Sequence, residues 1–172
     1  MNITRLLKNL FKTELLLSIL FLVIPFVLPL TSGVMLNSIS EYAYATNSTL
    51  FLLLLTFAGY LIVVDGLTDE TRRYNIILGA LLVGVTLFPV GEFRVLHDAV
   101  AILFFLGNSI ILTYWSKLVP KWLKISTFII IGTVVGSFLF GIISLFIAES
   151  LGFLMMSIFM FYRYIAEWER IK

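Results

Sequence analysis

The chain has 172 residues, 60% of them hydrophobic and 13% charged, with a formal net charge of +2 and a mean hydropathy of +1.07. A soluble domain is about 45–50% apolar and about a quarter charged, so this composition excludes the ordinary soluble class; it also excludes disorder, which requires low hydrophobicity. A membrane-spanning helix takes about 20 apolar residues, which leaves room for at most about six or seven spans. Cysteine is absent and His97 is the single histidine. There is therefore no disulfide framework, no thiol nucleophile and no His/Cys zinc set within one chain, and neither metal nor cofactor is expected. In a membrane protein the small basic excess faces lipid phosphates, and no nucleic-acid partner is expected.

In chain order, residues 1–13 come first. Ile3, Leu6, Leu7, Leu10 and Phe11 recur at helical spacing, with Arg5, Lys8, Asn9 and Lys12 on the other side. This predicts a short amphipathic helix at the membrane interface; a plain helical run-in to the first span is the alternative. Six apolar segments follow, at about 15–31, 50–64, 74–90, 97–116, 125–148 and 151–165. The expected fold is all-α: one polytopic bundle of six transmembrane helices over 1–172. A cleaved signal peptide is the competing reading of the first segment, but Pro25 and Pro29 fall late in the run and LPLTSG offers no good small-x-small cleavage site.

Lysine and arginine set the expected orientation. Arg5, Lys8 and Lys12, then Arg72 and Arg73, then Lys117, Lys121 and Lys124, then Arg163, Arg170 and Lys172 all fall on one side of a six-span chain, and Arg94 alone falls on the other. The positive-inside rule then places both termini in the cytoplasm. An odd number of spans would break the alternation. Trp115, Trp122 and Trp168 fall at the expected inner interface.

The polar residues outside gather in two places. The first loop, expected outside, carries Ser38, Ser40, Glu41, Tyr42 and Tyr44, and the third loop, also expected outside, with the start of span four carries Glu92, Arg94, His97 and Asp98. Glu149 is expected at the outer end of span five. Ionisable groups at or within a span are costly and invite a functional reading. The first loop reads either as a lid that turns Glu41 and its tyrosines into a pocket, or as an interfacial loop with its tyrosines at headgroup depth. Asp98 suits the positive end of a helix dipole. His97 reads either as a proton carrier or as a structural histidine paired with Glu41 or a carbonyl. Asp65, Asp69, Glu70, Arg72 and Arg73 read as a solvated inner rim. Within the membrane, Asn108 is the most polar group and is expected to bridge helices. Gly132, Gly136 and Gly141 form a small-residue stripe suited to close helix packing or dimerisation. Asn47-Ser48-Thr49 is a glycosylation sequon close to span two.

The stretch SISEYAYA and residues 75–105, NIILGALLVGVTLFPVGEFRVLHDAVAILFF, resemble a family of small bacterial multi-pass membrane proteins of unknown function. That family carries an ISEYYYT-type outer loop and is distantly similar to the Frag/DRAM/Sfk group of six-span proteins. The matching positions are Ile39, Ser40, Glu41, Tyr42, Tyr44 and Thr46, then Asn75, Gly79, Gly84, Leu87, Phe88, Pro89, Leu96, His97, Ala101, Phe104 and Phe105. Ala43 stands where the family often has an aromatic. The resemblance implies a six-helix bundle in a bacterial inner membrane and no established reaction. A weaker likeness to the alkaline-ceramidase superfamily fails on its seven spans and three zinc-binding histidines.

Four functions fit these observations. The first is binding of a lipid or small ligand in an outer pocket built from Ser40, Glu41, Tyr42, Tyr44, Glu92, Arg94, His97, Asp98 and Glu149. The second is a metal-free headgroup hydrolase, with His97 as base beside a carboxylate and Ser38 or Ser40 as nucleophile. The third is a small transporter, which lacks mid-membrane charges and would be excluded by a hydrophobic plug. The fourth is a subunit that pairs with itself or with another membrane protein. Membrane lipids are the expected partners throughout.

Overall fold

The computed structural model describes residues 3–115 and 119–171, with side chains described for 13–111 and 119–171 except 167, 170 and 171. Six α-helices carry the chain: α1 (Ile3–Ser32), α2 (Ser48–Thr68), α3 (Tyr74–Leu87), α4 (Val90–Trp115), α5 (Lys121–Phe140) and α6 (Leu145–Ile171). Single turns of 3-10 helix interrupt the first and second loops at Ser40–Tyr44 and Glu70–Arg72. Five of the helices are long and apolar enough to cross a membrane; α3, with 14 residues, is shorter. The protein is an all-α, polytopic membrane protein.

Each helix packs on its neighbours in sequence, and α6 returns to α1, so the six close into a ring. Aromatic side chains fill its centre. Phe21 stacks on Phe153 at 5.3 Å between ring centroids, Phe153 meets Phe105 at 5.7 Å, and Phe105 meets Phe104 at 5.4 Å. Leu55, Leu82, Ile131 and Met156 extend this core to the remaining helices. A second, smaller core of Val119, Leu123, Met155 and Phe159 joins the start of α5 to α6.

Helix ends follow local chemistry. α1 and α5 both stop at a glycine in the left-handed region, Gly33 (φ 71°) and Gly141 (φ 64°), where a side chain would be strained. Each of these amides bonds back one turn, to Pro29 O and Ser137 O. Gly141 therefore ends α5 eight residues before Glu149, and the expected 125–148 span divides there. Glu149 lies in the second turn of α6, and Gly141 is a cap, not a packing residue. In α4, Phe93 has non-helical angles (φ −127°, ψ 42°), so a short turn precedes the main helix. The backbone of residues 3–12 continues into α1 as one helix. The amphipathic pattern read for Ile3 to Lys12 lies outside the described side chains, as does the placement of Trp115.

The helices α2 and α3 approach closely through their glycines. A Cβ on Gly79 would lie 2.5 Å from Gly59 O and 2.8 Å from Val63 N. The α5 stripe does not play this part within the chain. Among the described residues a Cβ on Gly132 would meet nothing within 4 Å, and a Cβ on Gly136 would meet only Ile142 of the following loop. Gly79→Ala should therefore cost about 1–3 kcal/mol by overpacking, whereas Gly132→Ala should leave the thermal midpoint in detergent unchanged or slightly raised. Equal midpoints for the two variants would refute the close α2–α3 contact.

Candidate functional site

Polar groups concentrate at the two ends of the ring. At one end the first loop lies across the bundle mouth and is held by side chains from three directions. Glu149, buried on α6, accepts hydrogen bonds from Ile39 N at 2.5 Å and Ser40 Oγ at 3.1 Å. Phe146 N donates to Asn37 O at 2.6 Å. Tyr42 is fully buried; its hydroxyl donates to Val34 O at 2.9 Å, and its ring faces Phe146. Within the loop, Glu41 accepts from Asn37 N, and Glu41 N donates to Ser38 Oγ. Tyr44 remains exposed and accepts from Gly91 N at 2.8 Å, tying the loop to the start of α4.

The residues expected to form one outer pocket thus divide. Ser40, Tyr42 and Glu149 meet in the loop anchor. Glu41 turns back on its own loop. Glu92 and Arg94 are exposed, and Arg94 stands 3.9 Å from Asp98 in a loose pair. His97 is buried, and its Nδ1 lies 2.7 Å from Phe88 O, at the carbonyl end of α3. A carbonyl only accepts, so Nδ1 carries the proton and the ring caps α3. Its Nε2 is buried without a hydrogen-bond partner. Neither Ser38 nor Ser40 is bonded to His97, and the one Ser–carboxylate contact in the loop is Ser40 with Glu149. Asn108 donates to Phe104 O of its own helix and does not bridge to another. Asn47 uses its side-chain nitrogen to hold Leu28 O and Thr31 Oγ1 of α1.

Beside this loop, α1 and α6 separate to leave a groove of about 430 Å³. Leu22, Pro25, Phe26 and Pro29 wall it on α1, Leu151 and Leu154 on α6, and Met35 of the loop roofs it. Ser150 is the one polar residue in its wall.

The opposite end holds a buried charge cluster where a solvated rim is expected. Glu14, Asp65 and Arg72 are each under 9% exposed. Arg72 Nη1 binds Glu14 Oε1 at 2.7 Å and Asp65 Oδ1 at 3.2 Å, and its Nε binds Asp69 Oδ2 at 3.0 Å. Arg163 of α6 binds Glu14 Oε1 at 2.9 Å. Asn75 donates to Asp65 Oδ2 at 2.5 Å, and Tyr74 hydrogen-bonds Arg163. One layer up, Ser18 Oγ donates to Ser157 O at 2.9 Å. Four helices and the second loop therefore meet in one polar layer, which also places the beginning of α1 beside the end of α6. The signal in the sequence was Glu14 and Asp65, each an acid set against a long apolar run, which is the position where burial demands a partner. Among the described residues, no group of three or more His, Cys, Asp or Glu is arranged to hold a metal ion.

No curated protein and no solved structure matches this chain. Residues 23–163 match one family. The matched stretch covers most of the chain and takes in the loop anchor, His97, the groove wall except Leu22, and all of the charge cluster except Glu14. On that match, the chain belongs to the Family of unknown function (DUF7103).

Proposed function

We propose that the protein is a non-enzymatic lipid-binding bundle whose groove between α1 and α6 holds one acyl chain of a membrane lipid. The observation that carries this reading is the groove itself: an opening of about 430 Å³ between two apolar helices, with one polar residue in its wall. Apolar walls with few polar groups are the usual form of a small-ligand site. Pro25 and Pro29 of α1 both line it. The polar residues outside then act mainly as a frame: Glu149, Tyr42 and Tyr44 fix the loop that places Met35 over the groove. Hydrolysis has less support, because Ser38 and Ser40 bond to other groups and His97 has a carbonyl, not a carboxylate, on Nδ1. Transport has less support because Phe21, Phe105 and Phe153 occupy the bundle centre. The basic residues favour an orientation with both termini in the cytoplasm. The likeness to the Frag/DRAM/Sfk group fits a six-helix bundle of this kind.

The test is native mass spectrometry of the detergent-purified protein. One retained lipid per chain is expected. Leu22→Trp, at a half-exposed groove position, should fill the space and remove the adduct while leaving the thermal midpoint near that of the parent. A parent that carries no lipid, or a variant that retains it equally, would refute the proposal.

A further inference from the structure

The two ends of the ring use their cations differently. Arg72 and Arg163 are consumed by the buried cluster, Arg73 pairs with Glu70 at 3.3 Å, and Arg94 stands beside Asp98. Lys121 and Lys124 are the described cations left over. Among the described residues neither has a hydrogen bond or an ion pair. They are three residues apart, so they share one face of α5. Directly below them on that face lie Ile125, Phe128 and Ile129, and the five residues border a shallow groove of about 330 Å³. Ile125, Phe128 and Ile129 are all more than half exposed, and the track ends at Gly132, where an added Cβ would meet no described atom of another element within 4 Å.

We propose that this face of α5 binds an anionic phospholipid, its phosphate between Lys121 and Lys124 and one acyl chain along Ile125, Phe128, Ile129 and Gly132. Three points select that occupant. Two ammonium groups at one helix turn with no partner among the described residues favour an anion. The exposed apolar residues continuing from them demand a chain joined to that anion, which inorganic phosphate lacks. A zwitterionic headgroup brings its own cation toward the lysines and loses much of the attraction. Lysine suits the place because its alkyl stem lies along apolar surface while its charge reaches the headgroup layer. Each lysine near an anionic surface contributes about fivefold in binding. This site is on another helix from the α1–α6 groove and stands or falls independently of it.

Trp122 is exposed beside Lys121 and supplies a local reporter. In a Trp115→Phe, Trp168→Phe background it is the only tryptophan. The protein is placed in phosphatidylcholine vesicles in which a fixed fraction is replaced by brominated phosphatidylglycerol or by brominated phosphatidylcholine. Phosphatidylglycerol should quench Trp122 several-fold more effectively. Lys121→Gln with Lys124→Gln should bring the two lipids to parity, and the double Arg variant should preserve the preference. Far-UV circular dichroism on each variant confirms that the bundle is intact. Equal quenching by both lipids in the parent would overturn the proposal. So would an undiminished preference in the double Gln variant, which would place the anionic lipid at other basic residues. Shielding of Trp122 from both lipids, with crosslinks between copies through α5, would show that a second chain covers this face and would also overturn it.

Discussion

Arg72→Met should destabilise the bundle by about 3–5 kcal/mol, the usual cost of removing one partner from a buried ion pair. Arg72 touches all three carboxylates of its cluster: Glu14, Asp65 and Asp69. With Met in its place, Asp65 keeps only Asn75 among these contacts, and Glu14 keeps Arg163, while both remain buried. Water does not replace the lost partner without opening the packing around α1, α2 and α6. Arg72→Lys retains charge but not the planar fork that reaches separate carboxylates with Nη1 and Nε, and should fall between the parent and Met. The control is the next residue. Arg73 and Glu70 form an exposed pair, side chains 71% and 88% accessible, and Arg73→Met should shift stability by less than about 1 kcal/mol. Unfolding in mixed detergent followed by circular dichroism separates these outcomes. If Arg72→Met and Arg73→Met unfold together, the cluster does not hold the helices. A further variant checks the cause: Asp65→Asn combined with Arg72→Met removes one charge of each sign and should recover part of the loss, because the acid that kept no cation is then neutral.

Six helices and their order were legible because the bilayer imposes long apolar runs with few exceptions. The α5–α6 boundary was not, since the loop there is short and its residues around Gly141 are as apolar as the helices they join. Only the left-handed angle of Gly141 marks the turn, and an apolar-run reading passes through it. The charges were legible as a count and not as places. All the inner bases serve equally in an orientation rule, yet Arg72 and Arg163 face into the bundle while Lys121 and Lys124 face out. Which way each points depends on the angular position of its helix in the ring, and that is fixed by packing between distant segments such as α1 and α6. Glu14 and Asp65 carried the one local hint. The outer polar residues were assigned to one pocket because they lie on the same side. The fold instead spends them on separate local needs: Glu149 on loop amides, His97 on a helix-end carbonyl, and Tyr44 on the turn before α4. The glycines divide similarly. GxxxG spacing drew attention to α5, whereas the close contact is between Gly59 and Gly79, on different helices and with no common motif.

Glu149→Ala should release the first loop from the bundle mouth. Ile39 N and Ser40 Oγ both donate to this carboxylate in a buried place. Its loss leaves two donors unsatisfied, each at a cost of about 1–3 kcal/mol. The loop can recover that cost only by moving toward water, which also withdraws Tyr42 from Phe146 and Met35 from the groove. The absence of native cysteine makes the opening measurable. Ser38→Cys places a thiol at a position 4% exposed, and its rate of maleimide labelling then reports how often the loop lifts. At about 1.4 kcal/mol per factor of ten, Glu149→Ala should accelerate labelling by at least about tenfold. Glu149→Gln should give a smaller rise, because its amide keeps one acceptor oxygen but sets an NH₂ group against a donor. The charge cluster at the opposite end is untouched by either change, so the helical content should persist while the loop opens. An unchanged labelling rate in Glu149→Ala would mean that Tyr42 and Phe146 hold the loop by packing alone. A raised rate with retained lipid would separate the loop anchor from the groove, leaving α1 and α6 as sufficient walls for the acyl chain.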